Sequence, residues 1–222
     1  RRLTFAELYD EVARVSKSLR EMGVTVGDRV AGFMPNMPET IIAMLAATSI
    51  GALWSSCSPD FGVKGVLDRF GQIEPKVLFT ANGYFFKGSP LDSMERISKI
   101  LEQLPTVEKV VVVSYTEDHP DISQLPNAVS YADFKASQTG LQIEFEQLPF
   151  SHPLYIMYSS GTTGLPKCMV QSAGGILINQ LKEHILQGDL KREDTLFYFT
   201  TCGWMMWNWL TCGLAAGATL ML

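Results

Sequence analysis

Short apolar runs alternate with helix-patterned segments through the first half of the sequence, and this alternation constrains the fold more than any other feature. Strand patterns cover residues 29–34, 53–57, 76–80 and 110–115, and helix patterns cover residues 38–51, 63–73 and 93–103. Strands that alternate with helices in this way form crossover units, in which successive strands run parallel. The sequence therefore predicts an α/β fold, in which helices cover both faces of a parallel sheet.

An amphipathic helix is predicted ahead of the first strand. Thr4 and Glu7 have the spacing of a capping box, in which each side chain accepts a hydrogen bond from the backbone of the other residue. Apolar residues then recur at helical spacing up to Gly23, a residue type that commonly ends helices: Leu8, Val12, Val15, Leu19 and Met22. We interpret this helix as scaffold.

Residues 116–149 break the alternation because they are polar and irregular and include several turn formers. We interpret this stretch as a surface excursion of one domain rather than a linker between two, and leave open whether it contains helix or strand. Residues 1–222 are accordingly predicted to belong to a single large domain.

The charge balance excludes a broad binding surface for polyanions. The net charge is -5, and the sequence has no basic stretch that would attract nucleic acid or an anionic membrane. An anionic ligand must therefore be held by local geometry. The four cysteines have the spacing of no zinc-binding set, and we expect them to be reduced thiols of a cytosolic protein.

No charged residue occurs between Thr195 and Leu222, a run long enough to span a bilayer. Polar residues and glycines interrupt the run, however: Asn208, Thr211, Gly203, Gly213 and Gly217. These interruptions favour a strand, a loop and a buried helix over a membrane span.

The most informative stretch follows a predicted apolar strand at residues 154–158. It contains four hydroxyl side chains, two glycines and a final lysine, in the order Ser159, Ser160, Gly161, Thr162, Thr163, Gly164, Leu165, Pro166 and Lys167. Such a loop can surround phosphate oxygens with N–H and O–H donors, and the lysine adds a positive charge. The sequence differs from a Walker A loop, since the four residues after Gly161 end at Leu165 and Pro166 then stands where that loop needs a glycine. A solvated loop is the alternative for a generic cluster of these residue types.

The ten residues 158–167 resemble the signature phosphate loop of the adenylate-forming superfamily, which includes acyl-CoA synthetases, luciferases and the adenylation domains of peptide synthetases. Similarity to this superfamily covers nearly the whole chain, notably residues 3–8, 23–30 and 34–39. Residues 49–62 and 67–70 resemble the short-chain CoA synthetases in particular. A narrower match to the members that activate acetoacetate uses residues 58–62, 145–150, 168–170, 173–175 and 203–209.

The resemblance implies a reaction of acetoacetate with ATP and CoA. The carboxylate attacks the α-phosphate, pyrophosphate leaves, and the CoA thiol converts the acyl adenylate to a thioester. Donors in the loop and Mg²⁺ stabilise the charge on the pyrophosphate, so no residue of the chain is assigned a catalytic role as nucleophile or base. The resemblance assigns the β- and γ-phosphates to Ser159, Ser160, Gly161, Thr162, Thr163, Gly164 and Lys167. Thr162 or Thr163 would also contact the Mg²⁺.

The resemblance places the acyl pocket at Trp204, Met205 and Met206. Clusters of tryptophan and methionine are also typical of packed cores, so a core role is the alternative for these three residues. Lys87 aligns with a region that meets CoA phosphates in relatives, although a solvated loop residue is the simpler interpretation. His184 follows the loop on a helix, where we expect a packed or solvated imidazole.

Two positions depart from the superfamily pattern. Cys168 replaces a glycine that commonly follows the loop lysine, and Gln171 replaces a usual histidine. The glutamine can form hydrogen bonds but cannot titrate near neutral pH, so a role that needs an imidazole there is in doubt.

The sequence ends before several motifs of the superfamily, including its adenine- and ribose-binding residues and its C-terminal lysine. We therefore expect residues 1–222 to form part of the large N-terminal domain, without the C-terminal lid, and to be inactive as an isolated piece. Two alternatives stay open: another short-chain acyl-CoA synthetase, specific for acetate or propionate, or a truncated binding module without catalysis.

Overall fold

The computed structural model describes residues 1–159 and 164–222. The first half contains α1 (Phe5–Glu21), β1 (Arg29–Phe33), α2 (Pro38–Ser49), β2 (Leu53–Cys57), α3 (Val63–Ile73), β3 (Val77–Ala81), β4 (Gly83–Phe86), β5 (Ser89–Asp92), α4 (Met94–Leu101) and β6 (Lys109–Val113). The second half contains β7 (Ala128–Ser130), α5 (Tyr131–Phe134), β8 (Pro153–Tyr158), β9 (Cys168–Ser172), α6 (Ala173–Leu181), a π-helical turn (Lys182–Gln187), β10 (Thr195–Phe197), α7 (Met205–Cys212), a 3-10 turn (Gly213–Ala216) and β11 (Thr219–Met221).

Seven strands of the described chain form one sheet in the order β7-β6-β3-β1-β2-β8-β9. The neighbouring strands from β7 to β8 are parallel, and only β9 joins antiparallel, at the edge beside β8. The predicted α/β fold with a mostly parallel sheet is confirmed. The antiparallel edge follows from the short connection, since the nine residues 159–167 between β8 and β9 are too few for the crossover that a parallel pair needs.

Both faces of the sheet are buried, as predicted from the near-continuous apolar strands. Helices α1, α2 and α7 pack on one face, where α7 contributes Trp207. Helices α3 and α4 pack on the other face with Phe70 and Ile97. Residues of β6 alternate between the two cores, so that Val110 and Val112 lie on one face and Val111 and Val113 on the other.

The capping box at the start of α1 is confirmed. The backbone N–H of Glu7 donates to Thr4 Oγ1 over 3.2 Å, and the backbone N–H of Thr4 donates to Glu7 Oε2 over 2.7 Å. The two bonds satisfy donors that a helix start leaves unpaired.

The polar stretch 116–149 contains two short elements, β7 and α5, and much of its remainder lies along α1. Arg14 Nε donates to the carbonyl of Ala136 over 2.6 Å, and Arg20 Nη2 donates to the carbonyl of Glu144 over 2.7 Å. One side of α1 thus packs toward the sheet, and residues of this polar stretch cover another side.

The hairpin β4–β5 was not predicted from the sequence. Lys87 and Gly88 form its turn and both have positive φ angles, of 50° and 82°. Glycine adopts such angles freely whereas lysine seldom does, so the Lys-Gly pair is a weak hairpin signal. Lys87 thus occupies an exposed turn.

The charge-free run 195–222 folds into β10, α7, a 3-10 turn and β11. Its predicted division into strand, loop and buried helix is confirmed, and β11 adds a second strand that pairs with β10 in parallel. Among the described residues, no helix has the length and hydropathy that a membrane crossing requires.

Gly32 in β1 makes room for the buried indole of Trp54 in β2. A Cβ at position 32 would lie 2.7 Å from two ring carbons of Trp54, whose exposed fraction is 1%. We therefore expect Gly32→Ala to lower the free energy of unfolding by about 1–3 kcal/mol through overpacking. Urea unfolding followed by far-UV circular dichroism measures this effect.

Gly71→Ala is the matched control, because Gly71 lies in α3 and a Cβ there would meet no atom within 4 Å. Alanine favours the helix by about 0.5–1 kcal/mol over glycine, so this control should be neutral or stabilising. Equal effects of the two substitutions would contradict the close approach of Gly32 and Trp54.

Candidate functional site

The predicted phosphate loop leaves the carboxyl end of β8 and returns as β9, with its ends joined by backbone contacts. The backbone N–H of Ser159 donates to the carbonyl of Lys167 over 3.0 Å, and the N–H of Lys167 approaches Ser159 Oγ at 3.3 Å. Ser160, Gly161, Thr162 and Thr163 lie outside the described residues. The described ends therefore form a closed stem that holds the loop at the edge where ligands of parallel sheets commonly bind.

Gly164 and Lys167 form the returning side of the loop. Gly164 has a φ angle of 91°, a conformation that favours glycine. The Lys167 side chain is exposed and makes no salt bridge to a described carboxylate. Its ammonium group is thus available to an anion above the stem.

A side chain of helix α3 forms hydrogen bonds to the returning side of the loop. Gln72 Nε2 donates to the carbonyl of Pro166 over 2.9 Å, and the thiol of Cys168 donates to Gln72 Oε1 over 3.6 Å. One amide therefore contacts residues on both sides of Lys167. Sequence reasoning missed Gln72, since helical spacing on α3 gives no signal for a contact 94 residues away.

A cavity of about 150 Å³ opens where β2 and β8 separate. The two strands share a single register pair, Trp54 with Tyr155, whereas β1 and β2 pair along five residues. The cavity is lined by Trp54, Ser55, Ser56, Ile156, Met157, Tyr158, Met169, Cys202, Gly203, Trp204, Met205 and Asn208. It lies next to the stem, because Tyr158 precedes Ser159.

Hydrogen bonds fix three hydroxyl groups in the cavity wall. Ser55 Oγ lies 2.8 Å from the carbonyl oxygen of Ile156 and 3.0 Å from the hydroxyl oxygen of Tyr158. Ser56 Oγ donates to the carbonyl of Cys202 over 2.7 Å. These bonds join β2 both to β8 and to the segment before α7, so the wall has a defined shape. Burial raises the pKa of the Tyr158 hydroxyl, which keeps it neutral.

The three residues predicted to line an acyl pocket divide between two cavities. Trp204 and Met205 line the cavity beside β8. Met206 lines a second cavity of about 280 Å³, together with Trp204 and residues 198–201. Trp204 is 56% exposed and Met205 is 51% exposed, so neither is a core residue in the described chain.

Contacts with the rest of the fold fix the position of α7, which contributes to the cavity wall. Trp207 is fully buried, and its indole N–H donates to Asn36 Oδ1 over 2.9 Å. His184 is 1% exposed, and its Nε2 lies 2.8 Å from the carbonyl oxygen of Trp209. Of the two environments expected for His184, packed or solvated, the structure shows the packed one, in contact with α7.

Gln171 and the cysteines other than Cys202 lie outside the cavity lining. Gln171 is in β9 and pairs in register with Tyr155. All four cysteines are free, and burial raises the pKa of Cys57 to about 12 and that of Cys212 to about 11. These thiols stay protonated at neutral pH and are inert as nucleophiles.

The described residues contain no group of three or more His, Cys, Asp or Glu side chains that could hold a metal ion. Magnesium commonly binds through one or two protein ligands plus phosphate oxygens. Hydroxyl groups of the loop fit such a site, and the two predicted ligands, Thr162 and Thr163, lie outside the described residues.

Sequence reasoning also missed Asn208, which lines the cavity beside β8. In the sequence, Asn208 is the one amide side chain of the charge-free run 195–222. It follows Trp204 by four residues and Met205 by three. Helical spacing places such residues on one face, and this signal could have joined Asn208 to the predicted pocket.

Three comparisons relate this chain to known proteins. Residues 1–222 match the family model described as AMP-binding enzyme. The chain is 53% identical to the acetoacetyl-CoA synthetase of Mus musculus over its full length, and 53% identical to the acetoacetyl-coenzyme A synthetase of Rhizobium meliloti, covering 34% of each relative. A solved structure of acetoacetyl-CoA synthetase from Streptomyces lividans superposes with a TM-score of 0.92 at 42% identity, over 99% of this chain and 33% of that one. The chain thus spans about a third of the length of these relatives.

Proposed function

Because this chain belongs to the family of AMP-binding enzymes, we propose that the whole protein is a ligase that joins acetoacetate to CoA at the expense of ATP. The products are acetoacetyl-CoA, AMP and pyrophosphate. The observation that carries the proposal is the closed stem of Ser159 and Lys167 beside an uncharged cavity. Relatives 53% identical along the whole chain bear the name of this activity.

The loop serves the triphosphate of ATP in this proposal. Its residues Ser159, Ser160, Gly161, Thr162, Thr163, Gly164 and Lys167 bind the β- and γ-phosphates through N–H, O–H and ammonium donors. Displacement at the α-phosphate leaves negative charge on pyrophosphate, and fixed donors stabilise that charge without rearranging. A bound Mg²⁺ would add further neutralisation at the phosphates, with Thr162 or Thr163 as protein ligands.

The acyl group of the substrate enters the cavity beside β8. None of the residues that line this cavity is charged, so the wall suits the neutral end of acetoacetate while the carboxylate faces the nucleotide. Trp204 and Met205 form the mouth, and Met206 contributes from the neighbouring cavity. The phosphate site and the acyl site are therefore adjacent, because Tyr158 lines the cavity and Ser159 begins the loop.

Two further aspects belong to the same proposal. Residues 1–222 form part of one large domain, since a single sheet runs through residues 29 to 172 of the described chain. The protein works in the cytosol, where four free cysteines with no disulfide partner are stable.

Acid-dependent exchange of labelled pyrophosphate into ATP tests the function on the full-length protein. We expect exchange with acetoacetate to exceed that with acetate or propionate by at least about tenfold, by analogy with sites that reject a substrate lacking one polar group. Faster exchange with acetate would refute the acetoacetate assignment and keep the adenylation chemistry. Absence of exchange with every short acid would favour a binding module without catalysis.

A further inference from the structure

One face of α7 brings a polar amide side chain into the uncharged wall of the cavity beside β8. Trp204 is the N-cap residue of the helix, and Met205 and Asn208 follow it at helical spacing on the same side. All three line the cavity beside β8. Trp207, on a different side of the helix, is buried in the core. Asn208 therefore belongs to the cavity wall rather than to the packing of α7.

The side chain of Asn208 is unpaired with respect to the described residues. The residue is only 4% exposed, and its one hydrogen bond to a described side chain uses the backbone carbonyl, which accepts from Thr211 Oγ1 over 2.9 Å. Because the Asn208 side chain forms no hydrogen bond to another described residue and lines the cavity, its amide group can bond to a ligand there.

The hydroxyl groups of the wall already have partners. Ser55 and Tyr158 contact each other, and Ser56 donates to the carbonyl of Cys202. Trp54 adds an indole N–H that is buried and has no acceptor among the described residues. The Trp54 indole N–H and the Asn208 side-chain N–H₂ thus supply hydrogen-bond donors, Asn208 Oδ1 supplies an acceptor, and the wall contains no carboxylate.

We propose that Asn208 recognises the 3-oxo group of the acyl substrate, with the side-chain N–H₂ donating to the ketone oxygen. A ketone oxygen can only accept, so it complements a donor and leaves no new polar group unpaired. Acetate lacks this oxygen, and butyrate has a methylene in its place. The inference rests on the proposed function, because it names the residue that distinguishes a 3-oxo acid from a simple acid of equal length.

The test compares acetoacetate with butyrate in pyrophosphate exchange by the full-length protein. Asn208→Leu keeps the size of the side chain and removes its donors. We expect the ratio of kcat/KM for acetoacetate over butyrate to fall by about 10- to 100-fold, with the value for butyrate unchanged or raised. Asn179→Leu is the matched control, since Asn179 is exposed on α6 and should leave the ratio unchanged.

The wild-type measurement tests the proposed function, and the Asn208 variants test the inference about Asn208. A wild-type protein without a preference for acetoacetate over butyrate overturns the proposed function and this inference together. A wild-type preference that persists in Asn208→Leu overturns the inference alone. If Asn208→Leu exchanges with neither acid, Asn208→Ala decides, because it adds no branched carbon: a collapsed ratio supports the role of Asn208 and an unchanged ratio overturns it.

Discussion

Replacing Lys167 with methionine in the full-length protein should lower kcat/KM for ATP by about 100- to 1,000-fold, the loss typical of one preorganised donor to developing charge. The Lys167 ammonium is exposed beside the closed stem and has no described carboxylate to neutralise it. Methionine keeps the unbranched chain and removes the charge. Steady-state rates of acetoacetate-dependent pyrophosphate release at varied ATP measure the effect.

Two control variants distinguish the loss of the Lys167 charge from a general effect of replacing a lysine. Lys17→Met removes a lysine from α1, where Lys17 lies 3.8 Å from Glu21, and should change kcat/KM for ATP less than about twofold. Lys167→Arg keeps the positive charge and should recover part of the loss. A Lys167→Met variant that retains a third or more of the wild-type kcat/KM would argue against phosphate binding by this residue.

Trp207→Ala should lower the free energy of unfolding by about 3–5 kcal/mol, the usual cost of emptying a buried tryptophan site. The side chain is fully buried in the core between α7 and the sheet, and its N–H bonds Asn36 over 2.9 Å. Alanine would leave a cavity and an unpaired amide, and would free α7 from the loop that precedes α2. Urea unfolding of the full-length protein, followed by far-UV circular dichroism, measures the shift.

Trp204→Ala provides the comparison within the same helix. Trp204 is 56% exposed, so its removal should cost less than about 1 kcal/mol of stability, whatever it does to substrate binding. Trp207→Phe should lie between the two because it keeps most of the buried area and loses the hydrogen bond. Equal stability of the two alanine variants would contradict the division of α7 into a core side and a cavity side.

The sequence predicted the parts of this fold that depend on local patterns. Periodicity and capping residues identified α1, and apolar runs with flanking turn formers identified β2 and α3 at their observed bounds. The phosphate loop was visible because its unusual residue types are contiguous. Its contact with Gln72 was invisible, because that contact is a tertiary one between side chain and backbone.

The cavity could be predicted only in part, for a similar reason. Trp204, Met205 and Met206 are adjacent in sequence, yet successive helix positions point in different directions, so they reach two cavities. The strand β9 was missed because the chain returns from the loop antiparallel, whereas the alternation of elements indicates only parallel crossovers. Asn208 was overlooked because it was interpreted only as an interruption of an apolar run.

The single register pair between Trp54 and Tyr155 also has a consequence for the order of folding. Strands β1, β2, β3 and β6 pair among themselves through segments of modest length, whereas the bond from Ser55 to Ile156 joins residues 101 apart. Contacts that close long loops form late, since the entropy of closure must be offset first. During synthesis, then, the five strands of the main sheet that precede β8 (β1, β2, β3, β6 and β7) and their helices should acquire structure before β8 and β9 dock. A nascent chain would in that case carry a nearly complete scaffold well before it can bind a ligand.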